Sequence, residues 1–255
     1  MKIACRKSWV VGALLLAAPL VAAEPDYSSW SSLLAKYYDP ARGMDYRSLK
    51  ARDAHALESL RQQLGRVNTS ALTPKQELAY WINVYNVNVV AVVVGHYPVS
   101  SIRDISTDPL IRLNVFKQAA VPHGLSLDDV ENKKIRERFH DPRIHFAINC
   151  AAKSCPPIRS EAFTGERLDA QLDDQVRRFF ATPAGVRFNP DRDRIVITTS
   201  RILDWFSSDF ESWAGGKARF IRRYVSPGQQ QLIDRASEVD FKYADYDWTL
   251  NNWKR

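Results

Sequence analysis

The chain of 255 residues has only 3 cysteines, too few for a scaffold built on disulfides. Glycine (10) and proline (13) are too scarce for a collagen-like or broadly disordered protein. No internal repeat, low-complexity tract or evident linker interrupts the sequence after residue 24. A dense field of one charge is also missing. Lys and Arg number 36 against 29 Asp and Glu, but Arg136 and Arg138, Arg177-Arg178 and Arg222-Arg223 stand among acidic neighbours. Such scattered charges solvate helix faces, and nucleic acid is not expected as a partner. Beyond the N-terminus the longest apolar run, Val87 to Val94, is far short of the roughly 20 residues a spanning helix needs. What the sequence does have is 45% hydrophobic residues and 7 Trp, ample for one large core.

The first 23 residues have the build of a secretory signal. Lys2, Arg6 and Lys7 form a basic start, Trp9 to Val21 is apolar, and Val21-Ala22-Ala23 places small residues before Glu24. The apolar run is too short to stay as a membrane anchor, and Cys5 precedes it, which argues against a lipid anchor. The expected mature chain is therefore residues 24–255, periplasmic, with no stable membrane anchor. It carries two cysteines, Cys150 and Cys155, into an oxidising compartment.

Helical signals dominate that chain. Trp30 to Tyr38 is amphipathic, and Ser48 to Leu64 spaces its leucines helically. Thr73-Pro74 is a strong start for a helix reaching Val94, with Glu77 in its first turns. Ser126 caps a helix through Arg138, and Glu166 to Ala181 reads as another. Ile144 to Cys150 reads as a short strand, Val186 to Thr198 as a hairpin, and Val239 to Tyr243 as a strand after two helices. The expected fold is a single helix-rich α+β domain with a small β-sheet or hairpins.

Three segments could carry chemistry. In Glu77 to Asn86, Asn83 and Asn86 lie about 60° apart on a helix and share a face, so inward amides must tie down backbone or bind a ligand. Glu77 lies well away from both. In Asp141 to Pro157, strand alternation puts His145 and Asn149 on one face and Cys150 on the other. Three readings compete there. Cys155 is a nucleophile activated by His145; or Cys150 and Cys155 form a disulfide; or both share a metal with His145, though the spacing fits no standard ligand pattern. The third segment, Ser200 to Phe210, reads as structural punctuation, with Ser200 and Asp209 as cap or turn residues and aromatics at a core edge.

Glu77-Leu-Ala-Tyr-Trp-Ile-Asn-Val-Tyr-Asn86, Leu125 to Glu131, Asp141-Pro-Arg-Ile-His-Phe-Ala-Ile-Asn-Cys150, Ser154-Cys-Pro-Pro157, Trp205 to Phe210 and Tyr246-Asp-Trp-Thr-Leu-Asn251 resemble the DUF547 family in order and spacing. The resemblance implies an exported bacterial protein of a family without an established activity. It singles out Glu77, Asn83, Asn86, Glu131, His145, Cys150 and Cys155. Two departures matter. Asn132 stands where the family often has His, and plant relatives can carry Ser at the position of Cys155, so neither a disulfide nor a Cys155 nucleophile is universal.

Two functions follow as expectations. One is a thiol-dependent hydrolase or acyl transferase acting on a peptide or cell-envelope component. Its catalytic set is Cys155, His145 and Glu77, with Asn83, Asn86, Cys150 and Glu131 binding substrate and no metal or other cofactor. The other is a non-catalytic periplasmic module that binds a small molecule, peptide or envelope ligand, its recognition loop held by a Cys150–Cys155 disulfide.

Overall fold

The computed structural model describes residues 23–105 and 114–253. The expected signal segment, all but Ala23, lies outside the described residues. Helix α1 is Ser28–Tyr37, α2 is Tyr46–Leu64 and α3 is Pro74–His96. The start of α3 is set by Thr73, whose hydroxyl accepts the Gln76 N–H while the Gln76 side chain accepts the Thr73 N–H. Its β-rich second half, Val87 to Val94, stays helical because burial of all but Ala91 and Val92, which are half-buried, rewards packing over strand propensity. The expectation that no segment after the N-terminus can span a bilayer needs correction. At 23 residues α3 is long and apolar enough, and 83% of its apolar window is buried inside the protein, where it forms the axis of the larger core.

The helix expected after Ser126 is present, but its winding changes. Leu127–Asp129 is α-helical, Val130–Arg136 is a π-helix and Glu137–Phe139 returns to α; together they are α4. The Glu137 N–H reaches back to the Asn132 carbonyl, five residues away. Residues 131 and 136 would stand about 140° apart on an α-helix at 100° per residue. Hydrogen bonding from i to i+5 widens the turn and narrows that angle.

The segment expected as a strand from Ile144 to Cys150 is instead a 3-10 helix, Pro142–Phe146, followed by a turn. Asp141 causes this, since its carboxylate accepts the Arg143 N–H and Pro142 supplies a pre-set first helical position. Arg143 then fastens the turn to α5, Leu168–Phe180, through Asp169 and Asp173. The alternation that separated His145 from Cys150 therefore does not operate here.

The second core lies on a three-stranded sheet. Strands β1, Val186–Asp191, and β2, Arg194–Thr199, form the expected hairpin, and β3, Glu238–Tyr243, runs parallel beside β2. Four helices make the crossover: α6 Ile202–Trp205, α7 Ser207–Ala214, α8 Lys217–Tyr224 and α9 Pro227–Arg235. Helix content with one small sheet and hairpins is the α+β domain expected from sequence. Phe146, from the 3-10 turn, stacks on Phe220 at 5.8 Å and seats that turn in the second core, while Ile144 and Ala147 on either side belong to the first.

Asn83 and Asn86 are buried on α3, and both clamp backbone. Asn83 donates to the Phe163 carbonyl (2.7 Å) and accepts the Phe163 N–H (3.0 Å). Asn86 donates to the Ala147 carbonyl (2.9 Å) and accepts the Asn149 N–H (2.8 Å). Replacing Asn86 by Ala strands a buried N–H and a buried carbonyl, and is expected to cost about 3 kcal/mol in urea unfolding. A loss within the range of an ordinary surface substitution would show that the clamp is not needed.

Candidate functional site

A pocket of about 240 Å³ opens where α4, the 3-10 turn, α6 and the C-terminal segment meet. That is room for one side chain or small group of a ligand. His145, Cys150, Cys155 and Glu131 all line it, so four of the seven residues singled out in the sequence are brought together. Glu77, Asn83 and Asn86 do not line it. Glu77 is nearly buried on the first turn of α3, where Arg138 donates to it at 2.6 Å. Asn83 and Asn86 act through the clamps described above, the second of which fixes the backbone just before Cys150.

The best-defined group is His145. Its ring is buried and stacks on Phe206, centroids 3.8 Å apart, and its Nε2 lies 2.8 Å from Asp209 Oδ2. Arg136 grips the same carboxylate with two hydrogen bonds, 2.8 and 3.0 Å. Burial pushes the Asp209 carboxyl up, but the bonds from His145 and Arg136 outweigh it and hold the group well below the usual carboxylate range. Asp209 is thus ionised and only accepts, so the proton of the neutral imidazole sits on Nε2. Nδ1 keeps its lone pair and has no hydrogen-bond partner. Burial lowers the pKa of His145, and Asp209 only partly opposes it. The result is a neutral base held in one tautomer.

Glu131 sits on the π-helix. Burial pushes its carboxyl up to about 7, with Arg136 pulling the other way, and the Tyr85 hydroxyl stands 3.5 Å from Oε2. Arg136 and Asn132, on the same π-helix, work together. Arg136 holds Asp209, and Asn132 accepts from Arg136 at 2.6 Å while donating to the Asp128 carbonyl. Asn132 is therefore a brace for Arg136.

The sulfurs of Cys150 and Cys155 are bonded, 2.04 Å apart, and both lie against the Tyr246 hydroxyl, at 3.3 and 3.1 Å. Joined, neither is a nucleophile. Asn149 secures the loop by donating to the Pro156 carbonyl and accepting the Ala151 N–H. The C-terminal segment pairs with it, through Lys153 N–H to the Thr249 carbonyl and Asn251 N–H to the Ala151 carbonyl. That segment also supplies an aromatic wall. Tyr246 and Trp248 lie 4.8 Å apart, and Trp205 is 4.8 Å from Tyr246, with 48% of Trp205 exposed.

Sequence reasoning missed Asp209, Arg136, Tyr85 and the wall. Asp209 was expected to cap a helix; instead it orients His145, because the Trp205 to Phe210 stretch folds back over the 3-10 turn. The only signal was that this stretch and Tyr246 to Asn251 belong to the ordered motif set.

Residues 69–180 match the family described as protein of unknown function, DUF547. This stretch runs from the turn before α3 to the end of α5 and holds every one of the seven residues singled out in the sequence. Asp209, Tyr246 and Trp248 lie downstream of it. No curated protein and no solved structure matches the chain.

His145 is expected to stay neutral with a bare Nδ1 at about pH 6, where an ordinary imidazole is mostly protonated. Long-range nitrogen–proton NMR of the side chain reads this directly. In Asp209→Asn the tautomer preference should be lost. An imidazole titrating near 6.5 in both proteins would contradict the arrangement.

Proposed function

We propose that this pocket is the active site of a thiol-dependent hydrolase or acyl transferase, exported to the periplasm and acting on a peptide or other cell-envelope component. The observation that carries the reading is that His145, held by Asp209 with Nδ1 bare, lines the same pocket as Cys155. The disulfide is the resting state. An external dithiol reductant opens it to two thiols and is itself oxidised to a disulfide. Cys155 then gives its proton to His145 and attacks the substrate carbonyl carbon. Asp209 stabilises the imidazolium that forms. The imidazolium returns the proton to the leaving group as the scissile bond breaks, and water or an acceptor releases the acyl group from sulfur. Tyr246 is placed to donate to the Cys155 sulfur while it is a thiolate. Glu77, Asn83 and Asn86 act on this chemistry only by positioning, chiefly through the backbone that Asn86 fixes ahead of Cys150.

The second reading, a binding module without catalysis, is favoured by the bonded sulfurs and by the pairing of their loop with the C-terminal segment. The two readings part after reduction. In a hydrolase or transferase, one cysteine of the reduced protein reacts with iodoacetamide at neutral pH much faster than an ordinary thiol, and His145→Asn slows that reaction at least tenfold. Peptide and ester substrates are then turned over by the reduced protein and not by Cys155→Ser. In a binding module, replacing both cysteines lowers stability by about 2 kcal/mol and leaves ligand affinity unchanged. Ordinary thiol reactivity that is indifferent to His145 would rule out the catalytic reading.

A further inference from the structure

The full chain carries a formal net charge of +7, yet among the described residues no lysine or arginine lines this pocket. Two carboxylates do, Asp128 and Glu131, one turn apart on α4. Among the described residues Asp128 has no ion-pair partner, and the hydrogen-bond partner of the Glu131 carboxyl is the neutral Tyr85 hydroxyl at 3.5 Å. Facing them is the wall of Trp205, Tyr246 and Trp248. Cations already use part of this aromatic surface, with Arg103 5.1 Å above Trp248 and Arg136 4.7 Å above Phe206. Trp205, half exposed, has none over its ring among the described residues. The same cavity is lined by His145, whose buried Nδ1 is unpartnered and able to accept a hydrogen bond.

Ring faces attract cations, and the attraction grows when water is excluded. Two carboxylates and a bare nitrogen lone pair add acceptors but no donors of charge. Such a pocket disfavours an anionic group and favours one that brings positive charge and N–H bonds together. We propose that it recognises a protonated primary amine, and that the substrate of the site is an acyl compound carrying a free amino group, such as a peptide with an unblocked amino end. This deepens the catalytic reading above and rests on it for the word substrate; the amine site itself does not depend on the sulfur chemistry.

The state of Glu131 makes the recognition pH-dependent. Its carboxyl faces Arg136 and Asp128 on its own helix, Tyr85 on α3, Asp209 on α7 and Tyr246 on the C-terminal segment. Of these only Arg136 is cationic, and it is engaged by Asp209. A bound ammonium favours the ionised carboxylate, so amine affinity rises as the pH passes upward through about 7 and falls below it.

The test is calorimetric titration of the oxidised, full chain with alanyl-alanine amide and with its N-acetylated counterpart, at about pH 6 and about pH 7.5, both below the roughly 7.7–8.0 at which an α-amino group loses its proton. The free amine is expected to bind roughly tenfold tighter than the acetylated form at the higher pH, with the preference shrinking at the lower. Glu131→Gln and, independently, Asp128→Asn should each reduce that preference, and Trp205→Ala should weaken amine binding. Should Glu131→Gln fail to fold, Asp128→Asn carries the same comparison. Equal affinity for the two peptides, preference for the acetylated one, or no binding of the amine at millimolar concentration overturns the proposal. If the amine binds as stated but the reduced protein never turns over a substrate, the catalytic reading fails and the amine site stands. If acylated substrates without an amine are turned over just as fast, the reverse holds.

Discussion

Everything at the site depends on one carboxylate. Asp209 takes two hydrogen bonds from Arg136 on α4 and one from His145 on the 3-10 turn, and so ties α7 to two segments that lie 73 and 64 residues earlier in the chain. Each partner needs the others. Without Arg136, a carboxylate against buried aromatic rings would be costly to ionise, and without an ionised Asp209 the imidazole would have no fixed tautomer. The node lies where the two hydrophobic cores meet, since His145 sits between Ile144 of the first and Phe146 of the second and its ring is 5.9 Å from Phe210. Holding the cores in register and orienting the base are thus one interaction.

Much of the scaffold was legible because its signals are local. Thr73-Pro74 and Ser126 start helices as capping chemistry requires, and the strands around Asn189 to Asp193 alternate as a hairpin should. The 3-10 turn was misread because Ile144 to Cys150 has strand-like composition, while the deciding influence, Asp141 with Pro142, sits just upstream. The π-winding of α4 was not legible at all. Capping and apolar spacing report that a helix starts and which face is buried, but one extra residue in a turn leaves no mark on either.

The same limit governs the site. Glu131, His145, Cys150 and Cys155 share a pocket, and their side-chain types announced some chemistry. Asp209 looked like a cap because Asp is common at caps, and its partner His145 is 64 residues away with no spacing to reveal it. Asn83 and Asn86 were ambiguous in sequence because a buried amide satisfies backbone and ligand with the same atoms; the fold gives them backbone.

The cysteine loop is covered by a segment that comes much later in the chain, with Tyr246 lying 91 residues after Cys155. Chains emerge from synthesis amino end first. Cys150 and Cys155 therefore leave the ribosome ahead of Tyr246 to Asn251, and the tail that closes over the sulfurs is the last part of the site to be made.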